Sequence, residues 1–265
     1  MSRNLKIAVV LIIVGMISVL MLVFFRASDA KEDTQQIAVK KTGLFALVLD
    51  DFGYNRRNLD ALKALGIPLT VAVLPNAPYS GAVCSFAEEN ELDVILHLPM
   101  EPENQTVPME ENTISGDMPG ETVKANISDA FSSVLAAKGV SNHMGSRATR
   151  DCRLMAMVFD DLKQRQMFFL DSFTTGDSVC EKTAQDAGIP YVRRDIFIDN
   201  VGEKDSIKRQ VKKAEKKALT DGSVVAIGHD RKMTIDVLRE LIPGMEDRGI
   251  RFVRLSELVE FKHSK

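Results

Sequence analysis

Short apolar runs alternate with amphipathic stretches of helical spacing along most of the chain. The first run, Leu44 to Tyr54 (LFALVLDDFGY), predicts a buried strand that ends in two adjacent carboxylates, Asp50 and Asp51, and a glycine turn. Arg56 to Leu65 then repeats leucine at helical intervals and is closed by Gly66 and Pro68. The same pairing recurs: strand Leu69–Leu74 with helix Ser80–Asn90, and strand Leu92–Leu98, which carries His97 at its end. Glu101 to Gly120 breaks the rhythm with a stretch rich in Pro, Glu, Asn and Gly, a length that suits a lid or a substrate wall. Helix Glu121–Lys138 follows, with Val123, Ile127, Ala130, Phe131, Val134 and Leu135 on one face and Gly139 as its cap. Val140 opens a strand that runs into SNHMGSRAT, and helix Asp151–Gln166 leads to strand Met167–Leu170, which ends at Asp171-Ser172. Beyond helix Ser178–Ala187, a strand within Tyr191–Ile198 heads toward Asp199-Asn200, and Ser223–Ile227 ends in Gly228-His229. A helix from Thr234, a strand Ile250–Val253 and an amphipathic tail complete the pattern. About seven strand-then-helix units predict a parallel α/β fold, either a barrel or an open doubly wound sheet, with its site at the carboxyl edge.

Polarity at the two ends of the chain changes this picture. Arg3 and Lys6 flank an unbroken apolar segment, Ile7 to Phe25, long enough for the ~30 Å hydrocarbon layer. Residues 1–25 are therefore expected to be a transmembrane signal anchor, or a signal peptide cut near Ala27-Ser28-Asp29-Ala30. Residues 26–42 read as a polar linker and 43–265 as the folded domain. That arrangement implies export, to the periplasm of an envelope, with the domain held at the inner membrane. A net charge of −3 excludes a nucleic-acid binder held by phosphates. The basic stretch Lys204–Leu219 has Ile207, Val211, Ala214 and Ala218 at helical spacing, which is a solvated amphipathic helix. Cys84, Cys152 and Cys180 lack metal-ligand spacing; a Cys152–Cys180 disulfide and three small buried hydrophobes are both open.

Candidate chemistry gathers at the strand ends. Three of the four histidines, His97, His143 and His229, stand where an apolar run stops, as do Asp50 and Asp51. Two imidazoles and a carboxylate form the donor set of a catalytic divalent-metal site, with a divalent ion such as zinc as the expected cofactor. One of the adjacent aspartates is then free to act as base, and the remaining histidine as acid, in hydrolysis of an amide or ester. Asp51-Phe52-Gly53 spells the magnesium triplet of protein kinases, but neither a glycine-rich phosphate loop nor a His-Arg-Asp segment accompanies it.

The motifs VLDDFGYN, TVAVLPNAPYS, ILHLPMEP, GVSNHMGSRAT, FFLDSFTT, RRDIFIDN and AIGHDRKMT, in this order from Leu44 to Leu258, resemble the divergent polysaccharide deacetylase family. The resemblance implies a distorted (β/α)7 barrel that hydrolyses N-acetyl groups on a sugar polymer, peptidoglycan or another N-acetylated polysaccharide. It implies Asp50 as general base, Asp51 as metal ligand and His229 as general acid, with His97 and His143 as the other ligands. It further implies Arg147 as the arginine that steadies the base, and Asp171 or Asp195 as the carboxylate that orients His229.

Two features depart from that pattern. The ligand histidines come from separate strands instead of one H-x-x-x-H segment, and Asp230 follows His229 where a proline is expected, a neighbour able to raise the histidine's pKa. An inactive envelope module that keeps the fold and binds glycan or protein is the alternative. The absence of tryptophan, with only three tyrosines, weakens a sugar-stacking platform. A metallophosphatase would need a basic pocket, for which Arg147, Arg193 and Arg194 are the candidates.

Overall fold

The computed structural model describes residues 42–264 together with Met16, Ile17 and Met21; the expected anchor and linker otherwise lie outside the described residues. Strand β1 (Gly43–Phe52) is the hub. It is followed by α1 (Leu59–Lys63), β2 (Thr70–Val73), α2 (Ser80–Glu89), β3 (Asp93–Met100), α3 (Gly120–Ser133), β4 (Ala137–Met144) and α4 (Cys152–Gln164). The second half contains β5 (Phe168–Asp171), α5 (Cys180–Ala187), β6 (Tyr191–Arg193), β7 (Ile196–Phe197), α6 (Lys204–Asp221), β8 (Ser223–His229), α7 (Lys232–Asp247), β9 (Ile250–Val253) and α8 (Leu255–His263).

All strand pairs are parallel, in the order β6-β5-β4-β3-β2-β1-β8-β7, with β9 added beside β1. The two ends of this order are only two residues apart in sequence. Arg194 donates its backbone N–H to Asp171 on β5, and Asp195 donates its own to Val225 on β8. Successive amides of one extended segment thus face opposite neighbours, as in any strand. β6 and β7 are one bent strand that bridges the sheet's two edges, and the sheet curls into a distorted (β/α)7 barrel. An open doubly wound sheet is excluded by this seam. β9 pairs with Gly43–Ala46 while β2 pairs from Val48 onward, so the two share one side of β1.

Side-chain alternation sorts the core into two layers. Phe45, Leu47 and Leu49 join the large cluster between strands and helices. Ala46 and Val48 point the other way, to a smaller cluster with Ala72, Ile95, Leu170, Val225, Ile227 and Val253 inside the barrel. Both faces of β1, β2, β3 and β5 are buried, which is why those runs read as continuously apolar.

Helix α3 stops at Ser133, earlier than its apolar spacing suggests, and Leu135 is exposed. Gly139 is no helix cap; it lies within β4, where an added Cβ would sit 2.5 Å from the Phe168 ring. The long loop after β3 is pinned by fully buried Ile114, whose N–H donates to Pro99 at 2.8 Å, and by the Tyr54 hydroxyl, which donates to Glu110. It forms a fixed wall next to the β1 end.

Candidate metal centre and its acid pair

Strand parity delivers three of the polar groups. Asp50 continues the inward series Ala46, Val48; His97 continues from Ile95; and His229 continues from Val225 and Ile227. Each caps the inner apolar cluster at the carboxyl end of its strand. Asp51, next along β1, would face outward by the same rule. Its φ of 67° and a register irregularity between Leu49 and Phe52 turn the backbone and return its carboxylate to the site. That left-handed conformation is strained for a residue with a Cβ.

Asp51 Oδ1 lies 3.3 Å from His97 Nε2 and 3.2 Å from His143 Nδ1. The His97 and His143 rings meet edge to face, with centroids 5.0 Å apart. Asp51, His97 and His143 each offer a donor atom within 4.8 Å of the others, and among the described residues they are the group that could hold a metal ion. His97 Nδ1 is 2.8 Å from Ser141 Oγ, a contact that orients the ring and leaves Nε2 facing Asp51. Ser141 and His143 share a face of β4, and Ser141 pairs in register with His97. One carboxylate oxygen and two imidazole nitrogens at the mouth of a closed barrel fit a divalent ion with positions left for water.

Asp50 is 2 % exposed, and its Oδ1 has no hydrogen-bond partner. Its Oδ2 is 3.7 Å from His97 Nε2. Burial pushes its pKa up, against the attraction of His97. For Asp51, burial also acts upward, but hydrogen bonds to His143 and His97 outweigh it and hold the carboxyl well below the usual range. The two adjacent carboxylates are thereby pushed apart in basicity, with Asp50 the stronger base.

Across the rim, His229 Nδ1 is 2.7 Å from Asp199 Oδ1. Asp199 Oδ2 also accepts from the His229 N–H at 2.9 Å and from Thr234 Oγ1 at 2.6 Å. Burial disfavours the imidazolium, but the Asp199 hydrogen bond prevails, so the His229 pKa is raised. The Asp199 pKa is lowered: burial raises it and the His229 bond outweighs that.

Four positions differ from the sequence expectation. Neither Asp171 nor Asp195 meets His229. Asp171 accepts from Ser178 Oγ, Tyr191 Oη and the Phe173 N–H, while Asp195 accepts from the Val225 N–H and pairs with Lys217. Both acids instead hold the barrel seam, where their strands pass to their neighbours. Asp199 is the carboxylate that sequence reasoning missed, and its signal was its place immediately after Ile198 at a strand end. Arg147 turns to Glu101 at 3.1 Å and is mostly exposed. Arg194 is half-buried at the seam, where burial lowers its pKa against the attraction of Asp171 and Asp50. Asp230 accepts from Asn58 Nδ2 at 2.7 Å, and it is Asp199 that raises the His229 pKa. Cys152 and Cys180 are free thiols, and so is Cys84.

A family model described as divergent polysaccharide deacetylase matches residues 47–259. The uncharacterized protein YibQ of Escherichia coli is 33% identical over 217 residues, covering 82% of this chain and 67% of YibQ. An uncharacterized protein from Agrobacterium tumefaciens has a similar structure, with a TM-score of 0.77 at 19% identity over 82% of this chain and 89% of that one. The catalytic domain of a peptidoglycan N-acetylglucosamine deacetylase from Eubacterium rectale gives a TM-score of 0.53 at 14% identity, covering 80% and 88%. These structural likenesses concern the fold. With most of its folded domain matched by the family model, the chain belongs to the divergent polysaccharide deacetylase family.

Proposed function

We propose that this protein is a metal-dependent hydrolase that removes N-acetyl groups from an envelope glycan, with peptidoglycan or a related N-acetylglucosamine polymer as substrate. On this proposal the domain is exported and held at the inner membrane by residues 1–25. The observation that carries it is the Asp50 carboxylate: buried, with one oxygen unpartnered, beside a three-donor cluster and opposite a histidine–aspartate pair. Family membership and the fold shared with the Eubacterium deacetylase support the substrate class.

Asp51, His97 and His143 would hold the ion, and zinc suits their nitrogen and oxygen donors. When bound, the ion supplies Lewis acidity toward the acetyl carbonyl and lowers the pKa of a water. Asp50, made more basic by burial, accepts the water's proton. His229, kept protonated by Asp199, donates through Nε2 to the departing nitrogen. Ser141 keeps His97 in one orientation throughout.

The test is acetate release from N-acetylglucosamine oligomers and peptidoglycan by the zinc-loaded protein. Asp50→Asn should lower turnover by about 10²–10⁴-fold while metal content stays near that of wild type. Unchanged turnover in Asp50→Asn defeats the mechanism. Retention of glycan without acetate release points instead to an inactive glycan-binding module.

A further inference from the structure

His229 has a contact on its ring face that the scheme above leaves unused. Phe197 on β7 pairs in register with Ile227 on β8, which places its side chain diagonal to His229 on the same face. The two rings are stacked, with centroids 5.6 Å apart and planes 13° from parallel. The guanidinium of Arg194 lies 3.9 Å from the centre of the same phenyl ring. Arg194 is itself fixed, because Nε donates to the Ser172 carbonyl at 2.6 Å and Nη2 to the Phe173 carbonyl at 2.8 Å. A planar cation with two directed hydrogen bonds is a rigid support for an aromatic face.

The Asp199 hydrogen bond fixes one nitrogen of His229 and its protonation, but a single bond leaves the ring plane free to turn. We propose that Phe197, backed by Arg194, is a positioning residue that sets the plane of the His229 imidazole and so aims Nε2–H into the site. The proposal rests on the assignment of His229 as the acid. In that step the C–N bond of the tetrahedral adduct breaks and its electron pair stays on nitrogen. The nitrogen takes the Nε2 proton, leaving acetate, the amine and a neutral imidazole. An amine requires that proton to depart, whereas the phenolate of an aryl acetate leaves without it. Loss of the ring plane should therefore harm amide hydrolysis more than aryl-ester hydrolysis.

The experiment compares full-length, zinc-loaded wild type with Phe197→Leu, Phe197→Tyr and Arg194→Lys. Histidine ring signals are read by NMR, with the His229 signal identified by its loss in His229→Gln. In wild type the phenyl ring should displace this signal upfield; Leu should abolish the displacement and Tyr should retain it. The ratio of turnover on an N-acetylglucosamine oligomer to that on an aryl acetate should fall about tenfold or more in Leu, less in Arg194→Lys, and stay near wild type in Tyr. A His229 signal indifferent to Phe197→Leu overturns the stack. Equal loss on both substrates, or no loss on the amide, overturns the positioning role. If wild type hydrolyses neither substrate, the hydrolase assignment fails and the positioning role with it, and the NMR signal separates that failure from absence of the stack.

Discussion

At the scale of single residues, Asp199 and His229 make the most direct prediction. The raised His229 pKa should place the alkaline limb of the kcat/KM profile above the ordinary histidine value of 6.5. Asp199→Asn removes the anion responsible, so that limb should move to lower pH. The same pair links to stability. The share from His229, whose folded pKa is raised, is present below 6.5 and lost as pH rises through the folded value. The share from Asp199, whose folded pKa is lowered, is present above 3.8 and lost as pH falls through its folded value. Denaturant titrations of wild type and Asp199→Asn should therefore differ most between these limits, by about 2 kcal/mol; the difference should narrow as His229 loses its proton and vanish as Asp199 gains one. The three candidate donors, Asp50 and His229 were visible in the sequence because each stands where an apolar run ends. Asp199 was not, because Asp171 and Asp199 both follow short apolar runs and Asp195 lies only four residues before Asp199. Only the register of β7 on β8 sets Asp199 against the histidine. Arg147 misled for a similar reason. It lies close to His143 in sequence, but the turn that carries it faces the long loop and Glu101.

At the scale of elements, the Asp199–His229 contact depends on how closely β7 approaches β8. Gly228 makes this approach possible, since an added Cβ would meet Ile198 Cγ1 at 2.9 Å. Gly228→Ala should push Ile198 away and draw the adjacent Asp199 off His229. We expect a loss of about 1–3 kcal/mol in chemical denaturation, together with a turnover deficit that Asp199→Asn does not deepen. Most strands and helices were legible as alternating periods, because parallel strands buried on both faces leave unbroken apolar runs. The end of α3 was not, because Val134 and Leu135 prolong the helical stripe without belonging to it. Gly139 marks the close passage of Phe168, a packing constraint that looks the same in sequence as a helix stop.

At the scale of the whole molecule, the three candidate donors come from strands β1, β3 and β4, so an ion there would cross-link three strands of the barrel. Chelation should lower the thermal midpoint of wild type, and added zinc at about a hundred times its dissociation constant should contribute about 2.7 kcal/mol. Asp51→Ala should show no such metal dependence in calorimetry. Barrel closure was only half legible. The count of strand-then-helix units allowed a barrel, but the seam lies in the bent strand β6–β7, whose short pieces read as one run. The hub position of β1 has a consequence for the chain as it is made. This strand leaves the ribosome before the other described strands, yet its neighbours on one flank and at its base are β8 and β9, residues 223–229 and 250–253. Asp50 therefore meets His229 only when nearly the whole domain has been synthesised. A chain that stalls short of β8 carries Asp51, His97 and His143 but not His229, and a bare strand edge that invites pairing with another chain.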